Sequence, residues 1–238
     1  MSPFIGILSL DTRFPRIIGD AGNPASYHMP ARVRVVSGIS SPDIVRDDRP
    51  PAEVVARFVN AARELEAEGA VLITSTCGFL IFLQDDIARA VRVPVLLSGL
   101  TLIPLIRRLT GDRPLGILTA SARSLGAEAL AKAGCSGLQL HVAGMEQHRI
   151  FAETFLTPKS AQPVALDRKA MSAAVTNVAR SMVTAHPDIA ALLLECGNLP
   201  PYAAQLRVAV GRPVYSILDG ARLIGLSLIH ISEPTRPY

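Results

Sequence analysis

Short apolar runs alternate with longer amphipathic stretches along the chain. Phe4-Ile-Gly-Ile-Leu8, Ala70-Val-Leu-Ile73, Pro114-Leu-Gly-Ile-Leu118 and Ile189-Ala-Ala-Leu-Leu-Leu194 are nearly uninterrupted. Runs of that length read as parallel strands buried on both faces. Ala52–Glu68 and Ala170–Ala185 place apolar residues three and four apart, which predicts helices with one buried face. Strand and helix in alternation give α/β architecture, with parallel sheets covered by helices on both sides. Ligands bind such sheets at the carboxyl ends of the strands.

The pattern repeats. Cys77-Gly-Phe-Leu…Ala90-Val91…Pro94-Val95 aligns without gaps on Cys196-Gly-Asn-Leu…Ala209-Val210…Pro213-Val214, at a constant offset of 119 residues and with seven of nineteen positions identical. Each half reads strand, loop, strand, helix, strand, Cys-Gly turn, helix, strand. The expected architecture is two pseudo-symmetric Rossmann-like lobes with the active site in the cleft between them. Residues 1–98, joined by 217–225, form the first lobe around Cys77, and 99–216 form the second around Cys196. Both cysteines then end a strand and precede a helix, on opposite walls of one cleft.

The tail Leu226–Tyr238, LSLIHISEPTRPY, breaks this pattern and resembles the translation of a sequencing adapter. It is set aside as non-native, so His230 and Glu233 receive no role. On that reading the natural chain continues beyond Gly225, its closing helix is missing here, and the face near Leu100–Leu109 is left uncovered.

Composition narrows the function classes. Of 238 residues, 49% are hydrophobic and 18% charged, which excludes a disordered chain. Three cysteines cannot build a disulfide framework, and reduced thiols point to the cytoplasm. The longest apolar stretches are interrupted by Cys77-Gly78 or by Arg92, Pro94 and Pro104, short of the roughly 20 residues of a membrane span. The net charge of +4 comes from scattered arginines, without a basic block or tryptophan. An anionic small molecule suits that distribution better than nucleic acid or membrane.

A thiol at a helix N-terminus sees the positive end of the helix dipole and free N–H groups, which favour the thiolate. The same N–H groups can hold a substrate carboxylate. Gly78 and Gly197, lacking Cβ, would let the backbone approach that ligand closely. A carboxylate between two thiols exposes its α-carbon to a base on one face and an acid on the other. An α-proton can then leave one face and return on the opposite one, with no metal or organic cofactor.

Thr74-Ser-Thr-Cys77-Gly-Phe and Leu194-Glu-Cys196-Gly-Asn-Leu-Pro-Pro-Tyr202 resemble the paired cysteine motifs of the aspartate/glutamate/hydantoin racemase superfamily. The resemblance covers Phe4 to about Gly225. It implies a two-domain pseudo-symmetric fold and cofactor-independent racemisation, with Cys77 and Cys196 as the catalytic pair. Maleate isomerases of the superfamily also use two cysteines, whereas arylmalonate decarboxylases use one. Its racemases commonly follow the first cysteine with Asn-Thr and the second with Thr, groups that hold the substrate carboxylate. Here Gly78 and Gly197 stand in the first following positions, which weakens the amino-acid racemase assignment. Homodimers are common in the superfamily.

Several residues are candidates for substrate binding. Thr119 and Ser121 follow the first strand of the second half, either as hydroxyls facing the cleft or as a helix cap. Asp11 and Thr12 end the first strand, where the superfamily often has an acid. Asn23 lies in the turn-rich loop Gly19-Asp-Ala-Gly-Asn-Pro24, at the place of a lid. Of Ser75 and Thr76, one should face the cleft. Asn198 could donate to a carboxylate or cap a helix. Glu195 is the main asymmetry: it would raise the Cys196 thiol and leave a neutral acid opposite a Cys77 thiolate, or pair with a substrate ammonium, or turn to solvent or an arginine. Cys135 reads as structural, and His28, His141, His148 and His186 show no metal-ligand spacing.

The leading expectation is a cofactor-independent amino-acid racemase or epimerase acting on a small carboxylate. A maleate-type isomerase with a nucleophilic cysteine and an inactive ligand-binding module are the alternatives.

Overall fold

Each predicted apolar run is a strand. The computed structural model describes residues 2–228 and contains two four-stranded sheets, all parallel. The first holds β1 (Phe4–Leu10), β2 (Ala31–Val36), β3 (Ala70–Ser75) and β4 (Val95–Leu96), in the order β2-β1-β3-β4. The second holds β5 (Leu115–Thr119), β6 (Leu140–Gly144), β7 (Ala191–Leu194) and β8 (Val214–Ser216), in the order β6-β5-β7-β8. The central strands β1, β5 and β7 are buried at every position, as expected of parallel strands covered on both faces.

The 119-residue repeat survives into the register. Ile73 lies opposite Val95 on the β3/β4 pair, and Leu192 lies opposite Val214 on β7/β8. Two parallel lobes with flanking helices are the α/β architecture expected from the pattern.

The first half carries α1 (Ser41–Ile44), α2 (Ala52–Ala67) and α3 (Gln84–Ala90), and α4 (Ile103–Leu109) bridges to the second half. The second carries α5 (Ala127–Lys132), α6 (Arg149–Phe155), α7 (Arg168–Ala185) and α8 (Ala203–Val210), and α9 (Ile217–Leu228) ends the described chain. On α2 the buried face is Val55, Phe58, Ala61, Ala62 and Leu65, a spacing of three and four along one stripe. On α7 it is Met171, Val175, Thr176, Ala179 and Met182, and the Asp167 side chain accepts from Ala170 N–H to cap the first turn.

Two expectations are corrected. Neither cysteine directly opens an α-helix: 3₁₀ turns, Gly78–Leu83 and Pro200–Tyr202, intervene before α3 and α8. Gly78-Phe-Leu-Ile-Phe-Leu83 is buried at every residue. With apolar contacts on all sides, it has no solvent face of the kind an amphipathic helix presents. The face near Leu100–Leu109 is also largely covered. α9 runs through Leu226–Leu228, residues assigned to the tail, and packs on β3 and β4. Its Ile217 and Ala221 join Ile5, Ile7, Leu72 and Leu96 in one buried cluster. Leu100, Ile103 and Ile106 are buried as well, and only Leu105 and Leu109 of the stretch expected to be uncovered are exposed large apolar residues. His230 and Glu233 lie outside the described residues. No helix among the described residues is long and apolar enough to cross a membrane.

The packing of α9 generates a contrast within one helix. Ile217→Ala removes buried methylenes from the face of the first sheet and should lower unfolding free energy by about 2–5 kcal/mol. Leu223→Ala on the exposed side should change it by under ~0.5 kcal/mol. Urea denaturation of the two variants measures both.

Candidate active site

The carboxyl ends of β3 and β7 meet at one pocket. Its walls include Cys77 and Cys196, with Thr76, Gly78, Glu195 and Asn198 beside them. Thr12, Phe14 and Arg16 close one side, and Phe155 and Leu156 approach from the second half. The Phe14 and Phe155 rings meet edge to face at 4.7 Å, joining the two halves by an aromatic contact.

Reciprocal glycine contacts bring the halves this close. A Cβ on Gly78 would overlap Glu195 Oε1, and one on Gly197 would overlap the Thr76 carbonyl oxygen. Each glycine after a cysteine thus packs on the residue before the opposite cysteine. Close approach of the other lobe is thus one reason that both positions are glycine. Ala21 N–H donates to the Gly197 carbonyl at 2.9 Å and fastens the loop after β1 to the same point.

Burial dominates the electrostatics. Desolvation, and next the charge of Glu195, push the Cys77 thiol up to about 12, against the N–H groups of Phe79 and Leu80 and the charge of Arg16. Cys196 is also pushed well up, by burial first and then by Glu195, against the Asn198 N–H; Cys77 and Asp20 add to the rise. The expected lowering by a helix terminus is therefore reversed, because desolvation of a buried thiolate outweighs a few N–H dipoles. Glu195 is fully buried and its carboxyl is raised to about 7 by desolvation, opposed by the Thr119 hydroxyl and the Ala120 N–H. Thr119 Oγ1 donates to Glu195 Oε2 at 2.8 Å, while Oε1 has no hydrogen-bond partner among the described residues. The side chain is closed off from solvent, and no arginine among the described residues pairs with it.

The remaining candidates divide. Asn198 joins the site: its Oδ1 accepts from the Cys196 thiol at 3.5 Å and its Nδ2 donates to Asp20 at 2.7 Å. Thr119 acts on Glu195 and does not line the pocket. Ser75 is buried behind it, donating to the Leu97 carbonyl at 2.5 Å and accepting from Cys77 N–H at 3.3 Å, so of the Ser75–Thr76 pair it is Thr76 that lines the pocket. Ser121 bonds to Ser124 and borders a shallower neighbouring pocket. Asp11 accepts from Gly38 N–H and pairs with Lys159 at 2.5 Å, which in that order hold its carboxyl below the usual range. That is a structural tie outside the pocket lining, while its neighbour Thr12 lines it. Asn23 caps the turn Pro24–Ser26 and donates to the Arg16 carbonyl, again outside the pocket lining. Cys135 is buried near the Leu100 and Ala133 carbonyls, away from the site.

Sequence reasoning missed Arg16 and Asp20. Arg16 pairs with Asp20 at 2.8 Å and donates to Thr12. Asp20, itself buried, also accepts from Gly22 N–H and from Asn198. Their i,i+4 spacing inside a Gly-rich loop was the available signal. The resulting chain, Arg16–Asp20–Asn198–Cys196, connects the loop after β1 to the second cysteine. Among the described residues no group of three or more His, Cys, Asp or Glu is arranged to hold a metal ion.

The fold and this site define a class: a two-lobed, parallel-sheet α/β protein with paired cysteines in the interlobe pocket. Solved structures of that fold include unliganded arylmalonate decarboxylase (TM-score 0.58, 17% identity, covering 100% of this chain and 97% of that one). Glutamate racemase from Francisella tularensis in complex with D-glutamate gives 0.55 and 16%, covering 98% and 84%. Allantoin racemase from Pseudomonas fluorescens gives 0.60 and 14%, covering 98% and 93%. No family model matches the chain. By sequence it is 30% identical over 224 residues to a dimethylsulfoniopropionate lyase of Durusdinium sp. clade D, covering 91% of this chain and 72% of that protein. It is likewise 30% identical to dimethylsulfoniopropionate lyase 5 of Emiliania huxleyi, covering 99% of this chain and 46% of that one. The chain belongs to the dimethylsulfoniopropionate lyase family.

Two outcomes follow from the site's packing. Gly197→Ala forces a methyl against the Thr76 backbone and should cost about 1–3 kcal/mol, read by thermal unfolding. Glu195 releases its proton near 4.5 when unfolded and near 7 when folded. Its stabilising contribution is therefore complete below pH 4.5 and lost as pH rises through 7. Glu195→Gln should reduce the stability difference between pH 4 and pH 8 by about 3 kcal/mol, measured by denaturant titration at both pH values.

Proposed function

We propose that this protein is a cofactor-independent lyase that cleaves a sulfonium carboxylate of the dimethylsulfoniopropionate type by β-elimination. The observation that carries the reading is the family membership, taken with two cysteines and one arginine lining a single buried pocket. A thiolate removes the proton on the carbon next to the carboxylate. The electron pair forms the Cα–Cβ double bond, the Cβ–S bond breaks, and its pair leaves on dimethyl sulfide. Acrylate is the second product, and the thiol now holds the proton.

Cys77 is assigned as the base. Glu195 disfavours both thiolates, but two N–H groups and the Arg16 charge favour that of Cys77, whereas Cys196 has one N–H group and is further disfavoured by Asp20. Arg16 attracts the substrate carboxylate, and the Phe14–Phe155 wall offers ring faces and edges to the sulfonium methyl groups.

The racemase expectation rests on the same first step, since proton loss beside a carboxylate precedes either outcome. The presence of a second cysteine in the pocket favours it as the second reading: elimination needs one base, and two-base racemisation needs both thiols. The lack of a hydroxyl or amide side chain at positions 78 and 197 counts against an amino-acid substrate.

Proton NMR in D₂O separates the readings. With dimethylsulfoniopropionate, acrylate and dimethyl sulfide should appear, and Cys77→Ser should lower kcat by about 10²–10⁴-fold. With a panel of amino acids and hydantoins, no exchange of the α-proton is expected. Exchange that requires both Cys77 and Cys196, with no acrylate formed from the sulfonium, would replace the lyase by a racemase.

A further inference from the structure

Glu195 lines the same pocket, and the elimination above makes no use of its carboxyl. It is 1% exposed and packed between the two cysteine motifs. One carboxyl oxygen, Oε2, accepts the Thr119 hydroxyl at 2.8 Å, and the other, Oε1, lies against Gly78 at the pocket wall with no partner among the described residues. A buried carboxylate oxygen without a donor is more costly than the O–H of a neutral carboxylic acid, and that O–H is left free to donate to a ligand. Thr119 donates to Oε2, which leaves Oε1 as the oxygen to be protonated.

The packing at Gly78 points the same way. A Cβ at position 78 would collide with Oε1. A side chain at 78 and the Glu195 carboxyl are mutually exclusive occupants of one space, so Glu195, from the opposite lobe, supplies the polar group beside the first cysteine.

We propose that Glu195 works as a neutral carboxylic acid, donating a hydrogen bond from Oε1 to the substrate carboxylate as that group gains charge in the enediolate. This inference rests on the reading that the pocket takes a carboxylate. A preorganised donor of this kind, in a dry site, is worth most when negative charge develops on the oxygen it faces, and a carboxyl kept neutral by burial can supply it. The desolvation that raises the Glu195 carboxyl to about 7 supports the assignment. Neutral Glu195 also lifts the repulsion it otherwise exerts on both thiols.

The test is binding of 3-(methylthio)propionate, a carboxylate lacking the sulfonium leaving group, by titration calorimetry between pH 6 and 9 in buffers of different ionisation enthalpy. The other charged or titratable groups facing the pocket are the Cys77 and Cys196 thiols, which stay protonated over this range, and the Arg16–Asp20 pair, which is internally bonded. Wild-type affinity should fall about tenfold per pH unit above ~7, with uptake rising toward one proton per ligand bound. Glu195→Gln keeps a donor without a proton to lose. It should bind within about tenfold of wild type at pH 6, show no pH dependence and take up no proton. Wild-type binding of constant affinity without proton uptake would overturn the role of Glu195 while leaving the carboxylate reading intact, and that measurement decides the proposal even if the variant does not fold. A folded Glu195→Gln that binds nothing at any pH would overturn it as well. No binding by wild type at any pH would overturn both.

Discussion

The mutual packing of two Cys-Gly turns organises this molecule. Gly78 lies on Glu195 and Gly197 lies on Thr76, so each lobe inserts the backbone after its cysteine into the backbone before the other. Only residues without Cβ allow the approach. Everything chemical follows from it. The thiols share one pocket, water is largely excluded, and the Glu195 carboxyl is enclosed without a cation. The loop after β1 is held to the second cysteine by Asp20 and Asn198, which adds a polar tie to a contact otherwise made of main chain.

Exclusion of water gives the site its character. In a solvated cleft the N–H groups of Phe79 and Leu80 would make Cys77 acidic; in this pocket desolvation dominates and the resting thiols stay protonated. A base of that kind is strong once formed. Its formation is eased by a nearby cation and by neutralising the adjacent carboxylate, and Arg16 and Glu195 are placed to do these two things. Solved structures of this fold carry the names of a decarboxylase and of two racemases, so the fold alone does not fix the reaction.

The two halves are not equivalent despite the repeat. Position 76 is a threonine and its counterpart 195 a glutamate; the turn after Cys77 is wholly apolar, while that after Cys196 carries Asn198 and two prolines. Pseudo-symmetry supplies two thiols, and these substitutions make them different. Cys77 has more N–H donors and the cation, and Cys196 has Asp20 in addition to the Glu195 that both share.

The strands, the amphipathic helices, the 119-residue repeat and the placement of Cys77 and Cys196 at strand ends were legible in the chain, because each rests on local spacing: period 3.6 on α2 and α7, unbroken apolar runs on β1, β3, β5 and β7. Which polar residues reach the pocket was not legible. Asp11, Asn23 and Ser75 stand in promising places, yet Lys159, the Arg16 carbonyl and the Leu97 carbonyl take up their side chains. Arg16 enters from a loop whose course depends on contacts with the second lobe. The direction of the thiol shifts was also beyond the sequence. Residue types can say that a dipole is near, but burial is a property of the whole fold, and around a buried thiol the loss of water outweighs the dipole.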